Sequence, residues 1–192
     1  MLPTTEAELR ASFINCSKGE AARLGIPLHL RGDHGGLGGR YSRSVPWGDL
    51  DFIGWTDPAA AGRGYLVMPD GDDLVGIALR YSRSGAVGLR RAQMCSVCST
   101  THVGGGVSLM TALRTGEAGK RGNTVGRYIC TDFDCSLYAR RRKLPSLGRQ
   151  YREDFDIERR IEQVQVSVAA FVERVRGEDP HPQHSPDVDS RT

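Results

Sequence analysis

Five cysteines occur in the 192-residue chain, and four of them form two close pairs, Cys95-Ser96-Val97-Cys98 and Cys130-Thr131-Asp132-Phe133-Asp134-Cys135. A Cys-x2-Cys spacing lets a tight knuckle turn place two thiolates on one ion with backbone N–H groups aimed at the sulfurs. The spacer of the second pair is wider but lies within the range found for zinc ligands. Two such pairs supply the four soft ligands that zinc takes in a tetrahedron, so Cys95, Cys98, Cys130 and Cys135 are expected to hold one Zn2+. Four thiolates close the coordination sphere and leave no position for water or substrate, which makes the ion structural. The plainer alternative is four ordinary buried cysteines, a common fate for this residue.

Other reactive residues are sparse. His102, four positions beyond Cys98, could replace Cys130 or Cys135 as a ligand, or work with Asp132 in a metal-assisted nuclease; that would need an open metal site, and the four thiols suffice without it. Cys16, beside Phe13 in an N-terminal helix, reads as a small buried hydrophobe rather than a nucleophile. The glycine-rich stretches 35–39 and 104–106 lack the Lys-Ser/Thr ending and strand-to-helix context of a phosphate cradle and read as loops. No catalytic residue is assigned. The chain is expected not to be an enzyme, and to have no small-molecule substrate.

The elements that must position the cysteines are legible around them. Thr5-Glu6-Ala7-Glu8 is a capping-box pattern that predicts a helix running to about Cys16. Ser17-Lys18-Gly19-Glu20 begins another turn or two before Gly25 and Pro27 stop it. These make a short helical segment, 1–30, followed by a Gly/Arg-rich stretch, 31–46, expected to be a flexible loop. From Trp47 come β-prone runs at 51–55, 64–68 and 74–80, with Pro69-Asp70-Gly71-Asp72-Asp73 as a hairpin turn. A further run, 86–94, leads into Cys95. Runs at 107–113 and 124–129 flank the polar turn TGEAGKRGN and predict a hairpin ending at Cys130. Asp134 is expected to cap a helix from Cys135 through Arg142, stopped by Pro145. Asp156 is the expected N-cap of a last helix whose apolar stripe is Ile157, Ile161, Val164, Val168, Phe171 and Val175. Thus 47–176 forms one β-rich unit with a closing amphipathic helix, and 177–192 reads as a disordered tail. The fold class is α+β: an antiparallel sheet, short N-terminal helices, a zinc finger and a C-terminal helix. Knuckle, loop, hairpin and helix, in that order with the second ligand pair at the helix start, are the order of a treble clef. The positive end of that helix helps keep the thiolates deprotonated.

Bulk composition fits a soluble protein, with 39% hydrophobic and 26% charged residues. No apolar run approaches the ~20 residues of a membrane span, and no membrane association is expected. The start, MLPTTEAELRASF, is not a secretory signal, so the expected compartment is the cytoplasm, where patterned cysteines are more often a metal site than disulfides. Net charge is only +3, but residues 112–152 hold ten Lys or Arg against three Asp or Glu, whereas the remainder holds 16 against 20.

The stretches MCSVCSTTHVGGGVSLMTALRTG and GNTVGRYICTDFDCSLYARRRK resemble the C-terminal treble-clef zinc finger of the elongation-factor-G-binding proteins, the family of the fusidic-acid-resistance proteins. The likeness is specific over 93–143, where SLMTA, GNTVG and CSLY accompany the cysteines. Weaker likeness in NCSKGEA (15–21), DLDFIGW (49–55) and the closing helix extends it over most of 1–176. The resemblance implies that the zinc ligands are the same four cysteines. It also implies a protein that binds elongation factor G and, through it, the translating ribosome. Relative to the resistance proteins the chain lacks a long N-terminal helical bundle and carries the 31–44 insertion.

Charge patterning agrees with a binding role. Arg127, Arg140, Arg141, Arg142, Lys143, Arg149 and Arg152 could form a positive face suited to an acidic factor or to rRNA, or could be a solvated helix face. Tyr128 and Tyr138 are candidate aromatic anchors beside it, or members of the small core. Direct RNA or DNA binding through the same patch is the alternative function.

Overall fold

Thr5 and Ser17 each start a helix by the same device. In the computed structural model, which describes residues 1–30, 45–82, 92–145, 147 and 156–177, the Thr5 hydroxyl accepts from Glu8 N–H at 3.3 Å while the Glu8 carboxylate accepts from Thr5 N–H at 2.7 Å. Ser17 and Glu20 repeat the exchange. Each box satisfies two N–H groups that a helix start otherwise leaves unpaired. Helix α1 (Glu6–Ala11) and helix α2 (Lys18–Ala22) follow. The first helix therefore stops well before Cys16. The chain leaves it to join a sheet: Gly76 N–H donates to Ser12 O and Ile14 N–H donates to Gly76 O. Cys16 is accordingly half-buried between the two helices rather than inside one.

Strands β1 (Ile53–Thr56), β2 (Arg63–Asp70) and β3 (Asp73–Arg80) occupy the expected runs. Gly71, at φ +61°, makes the Asp-Gly turn between β2 and β3, a conformation that costs glycine little. Strands β4 (Gln93–Met94) and β5 (Thr101–His102) form a two-stranded ladder of their own. Strands β6 (Val107–Leu113) and β7 (Thr124–Cys130) complete an antiparallel sheet of order β1-β2-β3-β6-β7. The β3 and β6 strands pair only at Arg80 and Thr111. Asn15 clips the seam beside that pair, donating to Ala78 O and Leu113 O and accepting from Ala78 N–H.

Of the expected run 86–94, residues 86–91 lie outside the described residues and Gln93–Met94 is strand. Two expected elements are corrected. The polar turn TGEAGKRGN contains a short helix, α3 (Gly116–Lys120). Helix α4 spans only Cys135–Ala139, and Asp134 does not cap it with its side chain; its carboxylate faces Lys143 Nζ at 2.5 Å instead. The chain turns away at Arg141, which takes φ +58°. The closing helix α5 (Ile157–Arg176) has the expected N-cap, with Asp156 accepting from Glu158 N–H at 2.9 Å, and ends at Gly177 with φ +91°.

Strand alternation gives the sheet two buried faces. One carries Leu66, Ile77, Leu79, Met110, Ala112, Val125 and Ile129 against Val164, Val168, Phe171, Val172 and Val175 of α5. The stripe shifts toward the C-terminal half of the helix, leaving Ile157 exposed. The other face carries Trp55, Tyr65 and Val67 under Leu9, Leu24, Ile26 and Leu30 of the N-terminal segment. That segment covers the β1–β3 half, while Leu109, Leu113 and Tyr128 on the β6–β7 half stay exposed. No helix among the described residues is long and apolar enough to cross a membrane. The expected loop at 31–44 and nearly all of the expected tail lie outside the described residues.

Candidate metal centre

Cys95 ends the β4 arm and opens a tight turn. Ser99 N–H donates to Cys95 O at 3.0 Å, Cys95 N–H donates to Thr100 O at 2.9 Å, and Val97 N–H points at Cys95 Sγ at 3.3 Å. Ser99 takes φ +57°, which reverses the chain just past Cys98. This is a knuckle, with a backbone dipole aimed at a ligand sulfur. The second pair closes differently because its spacer is longer. Phe133 N–H donates to Cys130 O at 2.9 Å and Phe133 itself takes φ +61°, so the chain doubles back before Cys135 starts α4.

The two turns bring the four sulfurs together. All lie within 4.8 Å of one another, with Cys95 Sγ 3.7 Å from Cys135 Sγ and Cys98 Sγ 3.6 Å from Cys130 Sγ. A zinc–sulfur bond of about 2.3 Å in a regular tetrahedron puts sulfurs about 3.8 Å apart. The spacing matches, and it is far too long for disulfides, which span about 2.05 Å. All four cysteines are free thiols and fully enclosed. Hydrogen bonds from Cys130 and Cys135 hold the Cys95 thiol far below its ordinary pKa. Burial pushes Cys135 well above its own. Such crowding of buried sulfurs is the arrangement a central dication favours, because thiolate is the ligating form. The donor set, its enclosure and its spacing therefore fit one structural zinc.

His102 is not a fifth member of the cluster. It is buried, its Nε2 lies 3.4 Å from Cys130 Sγ, and its ring meets that of Tyr138 edge-on with centroids 4.8 Å apart. Burial lowers its pKa, which favours the neutral ring. In that position it borders the sulfur shell rather than completing it.

A polar collar surrounds the second knuckle. Tyr138 Oη donates to Asp132 at 2.7 Å, and Lys143 Nζ contacts Asp132 at 2.8 Å. Burial pushes the Asp132 carboxyl up, but the bonds from Lys143 and Tyr138 outweigh it and its pKa is lowered overall. For Asp134 burial prevails and the pKa is raised. On the other side of α4, Arg140 grips Asp51 through both terminal nitrogens, at 2.5 and 2.8 Å. Ser136 Oγ accepts from Asp51 N–H at 3.0 Å, so the finger is fastened to the residues preceding β1.

The expected basic face is thereby redistributed. Arg140 and Lys143 form internal ion pairs, and Arg142, still largely exposed, lies 3.6 Å from Asp49. Arg127 is half-buried, with Nη2 donating to Ser96 O. Arg141 is exposed. Arg149 and Arg152 lie outside the described residues. Of the two tyrosines, Tyr138 is a core residue at 3% exposure and Tyr128 is open at 47%.

Several site residues escaped sequence reasoning. Phe133 lies between the ligands of the second pair and packs on Gly54 and Gly64 of β1 and β2. Arg160, off the apolar stripe of α5, donates to Cys98 O at 3.0 Å, and Gln163 donates to Ser99 Oγ at 2.7 Å. The closing helix thus holds the first knuckle by its polar edge. The one available signal was the pair of glycines in otherwise β-prone runs, which often mark close approach of another group.

A family model described as FBP C-terminal treble-clef zinc-finger matches residues 8–175. No curated protein and no solved structure matches the chain.

Proposed function

The chain belongs to the family of the FBP C-terminal treble-clef zinc-finger, and from that membership we propose that it is a non-enzymatic binding protein whose zinc-organised finger engages elongation factor G, and through it the ribosome. The observation that carries this reading is the enclosed four-cysteine cluster at the centre of a finger to which the sheet and α5 are fastened. Cys95, Cys98, Cys130 and Cys135 would hold the ion. When bound, it supplies cross-linking of the two knuckles rather than an activated water, since four thiolates complete its sphere.

The contact surface is best placed beside the first knuckle. Ser96 N–H donates to Tyr128 O, so the knuckle fixes β7 where the Tyr128 side chain is exposed directly opposite Leu109 on β6. An exposed tyrosine and leucine on a rigid strand pair suit a protein partner, for which a few aromatic anchors carry most of the binding energy. The basic stretch after the second pair favours nucleic acid less, because Arg140 and Lys143 are engaged with carboxylates.

The test is co-purification of the zinc-loaded protein with elongation factor G from the same cell after nuclease treatment. It is repeated with Tyr128→Ala and Leu109→Ser together. Nuclease-resistant, stoichiometric binding that the double variant loses supports the proposal. Retained affinity for RNA with no affinity for the factor would replace it with the nucleic-acid reading.

A further inference from the structure

The sheet face opposite α5 holds a second concave site, away from the four-cysteine cluster. Where the N-terminal segment ends over the β3–β6 seam, a cleft of about 680 Å³ opens, and Arg23, Arg63 and Arg80 line it. Small-molecule sites commonly occupy about 300–1,000 Å³. Arg63 and Arg80 are direct cross-strand partners, and Arg80 in turn faces Thr111 across the seam. Like charges placed directly opposite one another destabilise a strand pair. Among the described residues no carboxylate forms an ion pair with Arg23, Arg63 or Arg80. Among the described residues Glu20 is the one acid lining the cleft; its carboxylate is bound to Ser17 N–H and Oγ in the capping box of α2 and also feels the charges of Arg63 and Arg23, without forming an ion pair with either.

Three exposed arginines therefore line one cleft, while arginines elsewhere in the protein, such as Arg10, Arg140 and Arg176, are paired with acids. Guanidinium forks match the oxygens of phosphate and bind them through charge-assisted hydrogen bonds. Thr111 and Thr124 add hydroxyls to the lining, and Leu24 and Leu113 add apolar wall. A carboxylate-bearing peptide would satisfy fewer of these donors than a phosphate with three free oxygens.

We propose that this cleft is a phosphate-binding site, with Arg63 and Arg80 gripping the anion from the strands and Arg23 closing over it from the N-terminal segment. Its lining does not include Leu109 or Tyr128, the pair assigned above to factor binding. The phosphate can come from a free nucleotide or from the backbone of a single-stranded RNA, and the probes separate the two.

Calorimetric titration of the zinc-loaded full chain, without elongation factor G, uses inorganic phosphate, GDP and oligouridylate as separate ligands. The expected result is binding of at least one probe that weakens about tenfold or more in Arg63→Gln/Arg80→Gln, in line with the loss of charge-assisted bonds. Arg159→Gln, on the exposed side of α5, should leave it unchanged. For oligouridylate the slope of log affinity against log salt should fall by about 1.4 in the double variant, the value for two lost single-strand phosphate contacts. Preference for GDP identifies a nucleotide; preference for oligouridylate identifies an RNA backbone. Arg23→Gln alone provides a second reading should the double variant melt early. Absence of binding by all three probes, or binding that these arginine variants leave intact, overturns the proposal.

Discussion

The ring of Phe133 fills the space that a side chain on Gly54 would need: a Cβ there would lie 2.4 Å from Phe133 Cδ1 and 2.5 Å from Cγ. Phe133 is the residue of the second cysteine spacer with φ +61°, so the wide spacing of that pair is what turns an aromatic ring outward from the knuckle and onto β1. Gly54→Ala should therefore destabilise the protein by about 2 kcal/mol, the usual range for overpacking a filled core. Urea denaturation with zinc saturating measures it. An unchanged midpoint would show that Phe133 moves aside without cost.

Removal of a ligand should be far more severe. Cys130→Ser, or chelation of the wild-type metal, is expected to abolish cooperative melting of the finger, because structural zinc contributes folding free energy on the order of 10 kcal/mol in small fingers. Native mass spectrometry gives the stoichiometry, one ion expected per chain, and circular dichroism gives the melt. Full zinc content together with a normal melt in the variant would refute the ligand assignment.

The Asp51–Arg140 pair should make stability depend on acid. The Asp51 side chain is only 4% exposed and that of Arg140 15%, so Asp51→Ala leaves a largely enclosed cation and should cost about 3 kcal/mol. Burial alone would raise the Asp51 pKa, but the bonds from Arg140 and Gln165 prevail and lower it. A carboxyl whose folded pKa lies below its unfolded value, about 3.9, stabilises the protein above that pH and loses the contribution as pH falls through the folded value. The difference in unfolding free energy between wild type and Asp51→Ala should hence be constant near neutrality and shrink below about pH 4. A difference that grows on acidification would contradict the pairing.

Tyr138→Phe should separate the two tyrosines by role. Losing the hydroxyl leaves Asp132 without one of its donors, which should cost about 1 to 2 kcal/mol of stability. Its effect on capture of elongation factor G should be nil once the variant is folded. Loss of capture with unchanged stability would place the partner surface at the second knuckle instead of at Tyr128.

Much of the chain was legible because its signals are short-range. Capping boxes at Thr5 and Ser17, the Asp-Gly turn at Gly71, the Asp156 cap and the two cysteine pairs act over a few residues, and each sits where local chemistry demands. Element ends were less legible. Helix α1 stops at Ala11 because Ser12 and Ile14 exchange hydrogen bonds with Gly76, a partner the sequence places more than 60 residues away. Helix α4 stops at Ala139 because the chain turns away at Arg141, which takes φ +58°, and Arg142 N–H donates back to Leu137 O.

By itself, then, the sequence determined the four-cysteine set and the order of elements, since cysteine spacing and backbone periodicity are properties of neighbouring residues. Tertiary structure decided which charges and rings remain available. Arg140 is held by Asp51, 89 positions away, and Tyr138 is enclosed while Tyr128 is open. Arg63 and Arg80 come together only because two strands fold back in register. Such pairings depend on which distant groups the sheet brings within bonding distance, and no local pattern encodes that distance.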